Sequence, residues 1–207
     1  MSASGFLTRF VRDQHGGAAE FALVLPLVAL LFFGIIDAGR YAYEFNQGEK
    51  ATQTGARFAV VTNPLASVLT SHSYVNETVG ERTIAQGDRI PAEALGTISC
   101  TNEACACEVT PCPDGTTTSL VSTDFDNLAD RMQQIWPTIE DGDITVEYSG
   151  SGLGYAGNPS GMDIAPFVTV RLDGMTFTSI LLFGREIDLP DFAYTLTMED
   201  GAGTGSN

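Results

Sequence analysis

Between Glu20 and Asp37 the chain runs FALVLPLVALLFFGII, 16 residues without a charge. Extended back to Gly16, the segment 16–36 has 21 residues and Glu20 is its only charge. At about 1.5 Å of rise per residue this makes roughly 31 Å of helix, the thickness of one hydrocarbon core. A membrane-spanning helix is therefore predicted. Arg9 and Arg12 flank its N-terminal side, so the positive-inside rule keeps that end in the cytoplasm and exports the acidic remainder of the chain. A cleaved secretory signal is the rival reading. Against it, no clear small-x-small cleavage site is found after the run at Asp37-Ala38-Gly39-Arg40, and the helical pattern continues past it.

That continuation is a stripe. Ala38, Tyr41, Ala42, Phe45, Gly48, Thr52, Gly55, Ala56 and Ala59 recur every three or four residues, with Arg40, Glu44, Lys50 and Arg57 off the stripe. One helix is predicted from about residue 17 to about residue 62, roughly 70 Å long, half in lipid and half lying on a soluble domain. Pro64 and the restricted backbone before it end the helix. Pro26 lacks an amide hydrogen and is expected to kink the helix inside the bilayer.

Composition narrows the function. Ten basic residues against 26 acidic give a net charge of -16, and every excess negative charge lies after residue 36. Such a chain repels phosphate backbones, which excludes nucleic acid as a partner. Two histidines, His15 and His72, leave little material for a histidine-based metal centre or general base. No Gly-x-Ser-x-Gly nucleophile elbow is present. An enzyme is not expected, and no catalytic residue, cofactor or metal is assigned.

The stretch HGGAAEFALVLPLVALLFFGIIDAGRYAYEFNQGEKATQTGARFAVV resembles the N-terminal region of TadE-like proteins, the minor pilins or pseudopilins of bacterial tight-adherence (Tad, Flp-type) pili. The matching features are Gly-Gly-Ala-Ala before Glu20-Phe21-Ala22, Leu25-Pro26, the acidic residue and Gly-Arg at Asp37 to Arg40, and the late Gly55-Ala56-Arg57. YSGSGLGYAGNPSG, APFVTVRLDGMTF and DFAYTLTMED are similar to the C-terminal part of such proteins. The resemblance implies a pilus-assembly role and processing by a prepilin peptidase. Its partners would be other pilins of the same pilus, the inner-membrane assembly platform and the lipid bilayer. In processed members the glutamate is usually fifth after the cleaved glycine; here Glu20 is fourth after Gly16 and third after Gly17, and Gly16-Gly17 is the candidate bond.

A carboxylate within an apolar segment needs a partner or an interfacial position. In a pilin-like assembly Glu20 would meet the α-amino group of a neighbouring subunit and set axial register. The alternative places it at headgroup level, beside the positive end of the helix dipole.

The predicted fold class is α+β: the long N-terminal transmembrane helix extends into a pilin-like domain with an antiparallel sheet and a second, shorter helix. Residues 1–16 form a cytoplasmic leader, 17–62 the long helix, 63–198 the exported domain with a Cys-rich flap at 98–114, and 199–207 a flexible tail. The second helix carries Phe125, Leu128, Met132, Ile135 and Trp136 on one face, with Thr123 and Asp124 as N-caps. Strands are predicted at 144–148, 167–172, 177–183 and 192–198, which are rich in β-branched and aromatic residues.

Cys100, Cys105, Cys107 and Cys112 form C-x4-C-x-C-x4-C in a loop-like segment. An exported, oxidising location makes two disulfides the first reading. The short 105–107 ring is strained, leaving either 100–105 with 107–112 or 100–107 with 105–112. Zinc held by four thiolates is the runner-up, weakened by the missing C-x2-C pairs. Gly152 to Gly157 fits G-x-G-x-x-G, but Asn158-Pro159 stands where a phosphate-binding helix must open, so the motif reads as a loop. Asp141, Asp143 and Glu147 suit calcium or, equally, a turn entering a strand. Asn76-Glu77-Thr78 marks an exposed loop.

Two function classes remain. One is a minor pilin or pseudopilin, inserted in the bacterial inner membrane with its domain periplasmic, that primes or joins a filament. The other is a single-pass anchored envelope domain with a binding or adhesive role that never enters one.

Overall fold

A single helix, α1 (Gly17–Ala59), carries the apolar run of the sequence on into the small-residue stripe. The computed structural model describes residues 17–113, 117–159 and 161–198. The expected leader 1–16, with Gly16, and the expected tail 199–207 lie outside these residues. The described residues fall into two units, one drawn from Glu44–Phe177 and Asp188–Asn207, the other from Met1–Tyr43 and Thr178–Ile187.

The larger unit is built on a six-stranded antiparallel sheet. Its strands are β3 (Thr97–Cys100), β4 (Cys105–Val109), β5 (Thr117–Thr118), β6 (Ile144–Ser149), β7 (Phe167–Leu172) and β10 (Phe192–Thr197), in the order β10-β7-β6-β3-β4-β5. Alternation decides the faces: Ile144, Val146 and Tyr148 of β6 and Val168, Val170 and Leu172 of β7 are buried, while their neighbours are partly exposed. Register aligns Ile144 with Leu172 and Val146 with Val170, so the apolar residues form one continuous face. On the opposite face Glu147 Oε1 stands 3.0 Å from Arg171 Nε.

Two helices cover the apolar face. Helix α3 (Ser122–Gln133) buries Phe125, Leu128, Ala129 and Met132. The second half of α1 buries Gly48, Thr52, Gly55, Ala56 and Ala59 of the stripe, with Phe45 half-buried. Small residues are required there. A Cβ on Gly55 would stand 2.7 Å from Met132 Sδ and 3.3 Å from Val170 Cγ1, and one on Gly48 would stand 2.5 Å from the Phe192 ring. Phe192 packs edge-on against Phe45 and Trp136. Buried Tyr148 fixes the chain leaving α1, its hydroxyl accepting the Leu65 N–H at 2.9 Å.

The α+β architecture and the sheet on the helix are as predicted; four details differ. α1 stops at Ala59 instead of about residue 62, because Val61 N–H turns back to the Phe58 carbonyl and closes the last turn more tightly. α3 starts at Ser122 with Val121 at the cap position, so Thr123 and Asp124 lie in its first turn and do not cap it. The predicted strand 177–183 is strand only as far as Ser179: β8 (Thr176–Ser179) is followed by a turn, in which Phe183 has φ 57° and Gly184 φ 82°, and the chain then pairs back as β9 (Arg185–Asp188). The segment expected as a Cys-rich flap contains a β-hairpin, because β3 pairs with β6 at the sheet's centre and carries β4 with it. Residues 65–96, largely unassigned from sequence, hold α2 (Val68–Ser71) and the small hairpin of β1 (Thr78–Val79) and β2 (Arg82–Thr83).

Candidate functional site

Two features of the smaller unit stand out. The first is the run 21–36 of α1, where Phe21, Leu25, Leu31, Phe33 and Ile36 are among twelve large apolar side chains that are exposed, Leu23 to 76%. Fully covering a side chain of this kind is worth about 1.5–3 kcal/mol, so at their exposures of 38–76% the twelve together cost on the order of 15 kcal/mol in water. The run is long and apolar enough to cross a membrane. Glu20 lies exposed in the first turn of α1, where the helix dipole favours a carboxylate. Pro26 lies inside the helix, and its missing N–H leaves the Ala22 carbonyl without its usual donor.

The second feature is Asp37, the first charge after the run. Its side chain is buried and accepts three hydrogen bonds from the β8–β9 turn: Ser179 Oγ at 2.7 Å, Ile180 N at 3.1 Å and Leu181 N at 2.7 Å. The Arg40 guanidinium stands 3.5 Å from the same carboxylate and donates to the Thr178 carbonyl at 3.2 Å. Asp37 and Arg40, one helical turn apart, together grip the turn. From sequence they figured only as part of a family resemblance; the signal available was a carboxylate abutting an apolar run, which demands donors from elsewhere.

Residues 16–57 match the family model of TadE-like proteins. This segment is TadE-like. It ends two residues before α1 does, so the TadE-like region and the helix are nearly the same object. The match does not extend to the stretches from Tyr148 onward that were compared with such proteins on sequence. No curated protein and no solved structure matches the chain. Within the TadE-like region Asp37 and Arg40 contact the turn, Gly48 and Gly55 admit the aromatic and sulfur side chains above them, and Gly39 has open space around it.

The remaining sequence candidates separate from this region. The cysteines pair as Cys100–Cys105 and Cys107–Cys112, the first of the two alternatives. Cys100–Cys105 joins facing residues of β3 and β4; Cys107–Cys112 ties β4 to the segment after it. The G-x-G-x-x-G segment comes after β6 as expected and opens no helix; it runs along a groove of about 810 Å³. Asp163 in that groove accepts Tyr74 N at 2.9 Å and Asn158 N at 2.8 Å, so its carboxylate is engaged in holding loops together. Burial raises its pKa, and the N–H groups of Gly157, Tyr74 and Asn158 with the Ser73 hydroxyl outweigh burial and hold it below the ordinary 3.8. Asp143 is a helix-cap partner of Glu140, Asp141 accepts from Gln133, and Glu147 pairs with Arg171. Among the described residues, no three His, Cys, Asp or Glu side chains gather as metal ligands. Asn76 is exposed in a turn. His72 meets Glu77 at 2.8 Å and stacks edge-on against Tyr74.

Proposed function

We propose that the chain is a minor pilin or pseudopilin of a Tad-type pilus, a structural component without catalytic activity. It sits in the inner membrane through the first half of α1, N-terminus cytoplasmic and domain periplasmic, and from there primes or joins the filament. One observation carries this reading: the TadE-like match coincides with a helix whose first half is uncovered and whose second half is packed into a folded domain. Subunits that exchange lipid for one another need such a half-covered helix. Prepilin peptidase would cut Gly16-Gly17, because Arg9 and Arg12 could not enter an apolar filament axis without a desolvation cost of several kcal/mol. Glu20 would then pair with a neighbour's new α-amino group.

The test is the mature N-terminus and its location. Protein beginning at Gly17 and recovered with sheared pili supports the assignment. A full-length chain that stays in membranes and never reaches pili overturns it in favour of an anchored binding or adhesion domain.

A further inference from the structure

We propose that the turn Ile180–Gly184 is a second membrane contact, its apolar side chains entering the interfacial layer of the leaflet on the domain's side while Asp37 fastens it to α1; this rests on the reading of α1 as a membrane span. Turns in water are built from Gly, Asn, Asp, Ser and Pro. This one is Ile-Leu-Leu-Phe-Gly, with Phe183 99% exposed and Ile180 and Leu182 nearly half exposed. Phe183 also has φ 57°, a conformation rare for a bulky residue. A side chain held there and aimed at water gains nothing from the protein.

The turn's position supplies the reason. The three bonds to Asp37 place its backbone at the end of the apolar run, and Leu181 Cδ2 comes within 3.9 Å of a Cβ built on Gly34. Gly34 lies about 4.5 Å inside the run from Asp37 along the helix axis. The turn therefore reaches to the level of side chains that the membrane covers, and interfacial segments sink about 5–10 Å into the headgroup and acyl boundary. No charge occurs from Ser179 to Gly184; Arg185 and Glu186 come next, both exposed, where headgroups and water resume. Leu181 lies beside Gly34 within the apolar run, so the phase that covers the run also reaches the turn, which favours lipid over a second copy as its cover.

The experiment uses the full chain in vesicles of phosphatidylethanolamine and phosphatidylglycerol at high lipid-to-protein ratio, with brominated lipid as quencher. Phe183→Trp adds an indole at an exposed position, and native Trp136, buried in the domain, is the internal reference. A parallel Leu31→Trp protein reports on the span. The Phe183→Trp indole is expected to be quenched roughly threefold more than Trp136 and within about twofold of Leu31→Trp. Adding Asp37→Ala should bring the first value down and leave the second unchanged. If Leu31→Trp is quenched and Phe183→Trp is not, the turn is outside lipid and the inference fails while the span stands. If neither is quenched, the span itself fails. Emission from Phe183→Trp that shifts to the blue only as protein density rises, without quenching, assigns the turn to a second copy and also overturns the inference.

Discussion

Asp37 and Ser179, 142 residues apart in sequence, meet through a 2.7 Å hydrogen bond at the end of the apolar run. The bond joins the TadE-like helix to a turn from the far end of the chain. Replacing Asp37 by Ala leaves the Ser179 hydroxyl and the Ile180 and Leu181 amides without their acceptor. Amide exchange at Ile180 and Leu181 should then accelerate by roughly tenfold or more in detergent, with the β6–β7 amides unaffected. Unchanged exchange at these two amides would show that the turn is held some other way.

Glu20→Ala makes the span more apolar, so membrane levels of the protein should hold or rise. Piliation should fall, because a neighbour's buried amino group without its counter-charge costs about 3–5 kcal/mol. Normal piliation at normal protein level would favour the interfacial position, where an ion pair is worth about 0–1 kcal/mol.

Gly48→Ala pushes a methyl group into the buried Phe192 ring and should destabilise the domain by about 1–3 kcal/mol, read from denaturant unfolding. Gly39→Ala, in the same helix with nothing within 4 Å, should stabilise α1 by about 1 kcal/mol. Equal effects from both would mean that helix propensity, and not close approach, explains the stripe.

Cys100→Ser should leave one free thiol, at Cys105, located by alkylation and peptide mapping. A label at Cys107 instead would establish the other connectivity. Each six-residue ring is worth about 2 kcal/mol by the loop-entropy account, so reduction should lower the unfolding midpoint without abolishing the fold.

Stability of the domain should fall at acid pH. Asp163 and Asp88 are held below their ordinary value, so the stability they contribute is present above pH 3.8 and is lost as pH falls through their lowered folded values. Asp173 works the other way, raised chiefly by burial and by Asp191, so its unfavourable contribution at neutral pH is relieved on acidification. Asp163→Asn should cost about 2 kcal/mol at pH 7 and flatten the acid limb of the stability profile. A variant with the wild-type pH profile would remove Asp163 from the account.

The sequence by itself determined what its periodicity and chemistry could carry. The uncharged run from Phe21 to Ile36 dictated an apolar helix long enough to cross a membrane, and the stripe from Ala38 to Ala59 dictated that the helix continues onto a domain, although Ala38 and Ala42 are exposed and the packed part begins near Phe45. β-Branched and aromatic residues at 144–148 and 167–172 marked two strands of the sheet, and the TadE-like pattern lay in consecutive residues. The tertiary structure decided whatever depends on residues distant in sequence. Ile180 to Phe183 reads as strand because apolar runs usually pair, yet the positive φ at Phe183 and Gly184 and the donors turned toward Asp37 make it a turn. Cysteine spacing left two pairings open, and the register that faces Cys100 with Cys105 chose between them. Asp37 showed the same limit: a charge beside an apolar run announces that it needs donors, and only the packed chain shows that they come from Ser179, Ile180 and Leu181.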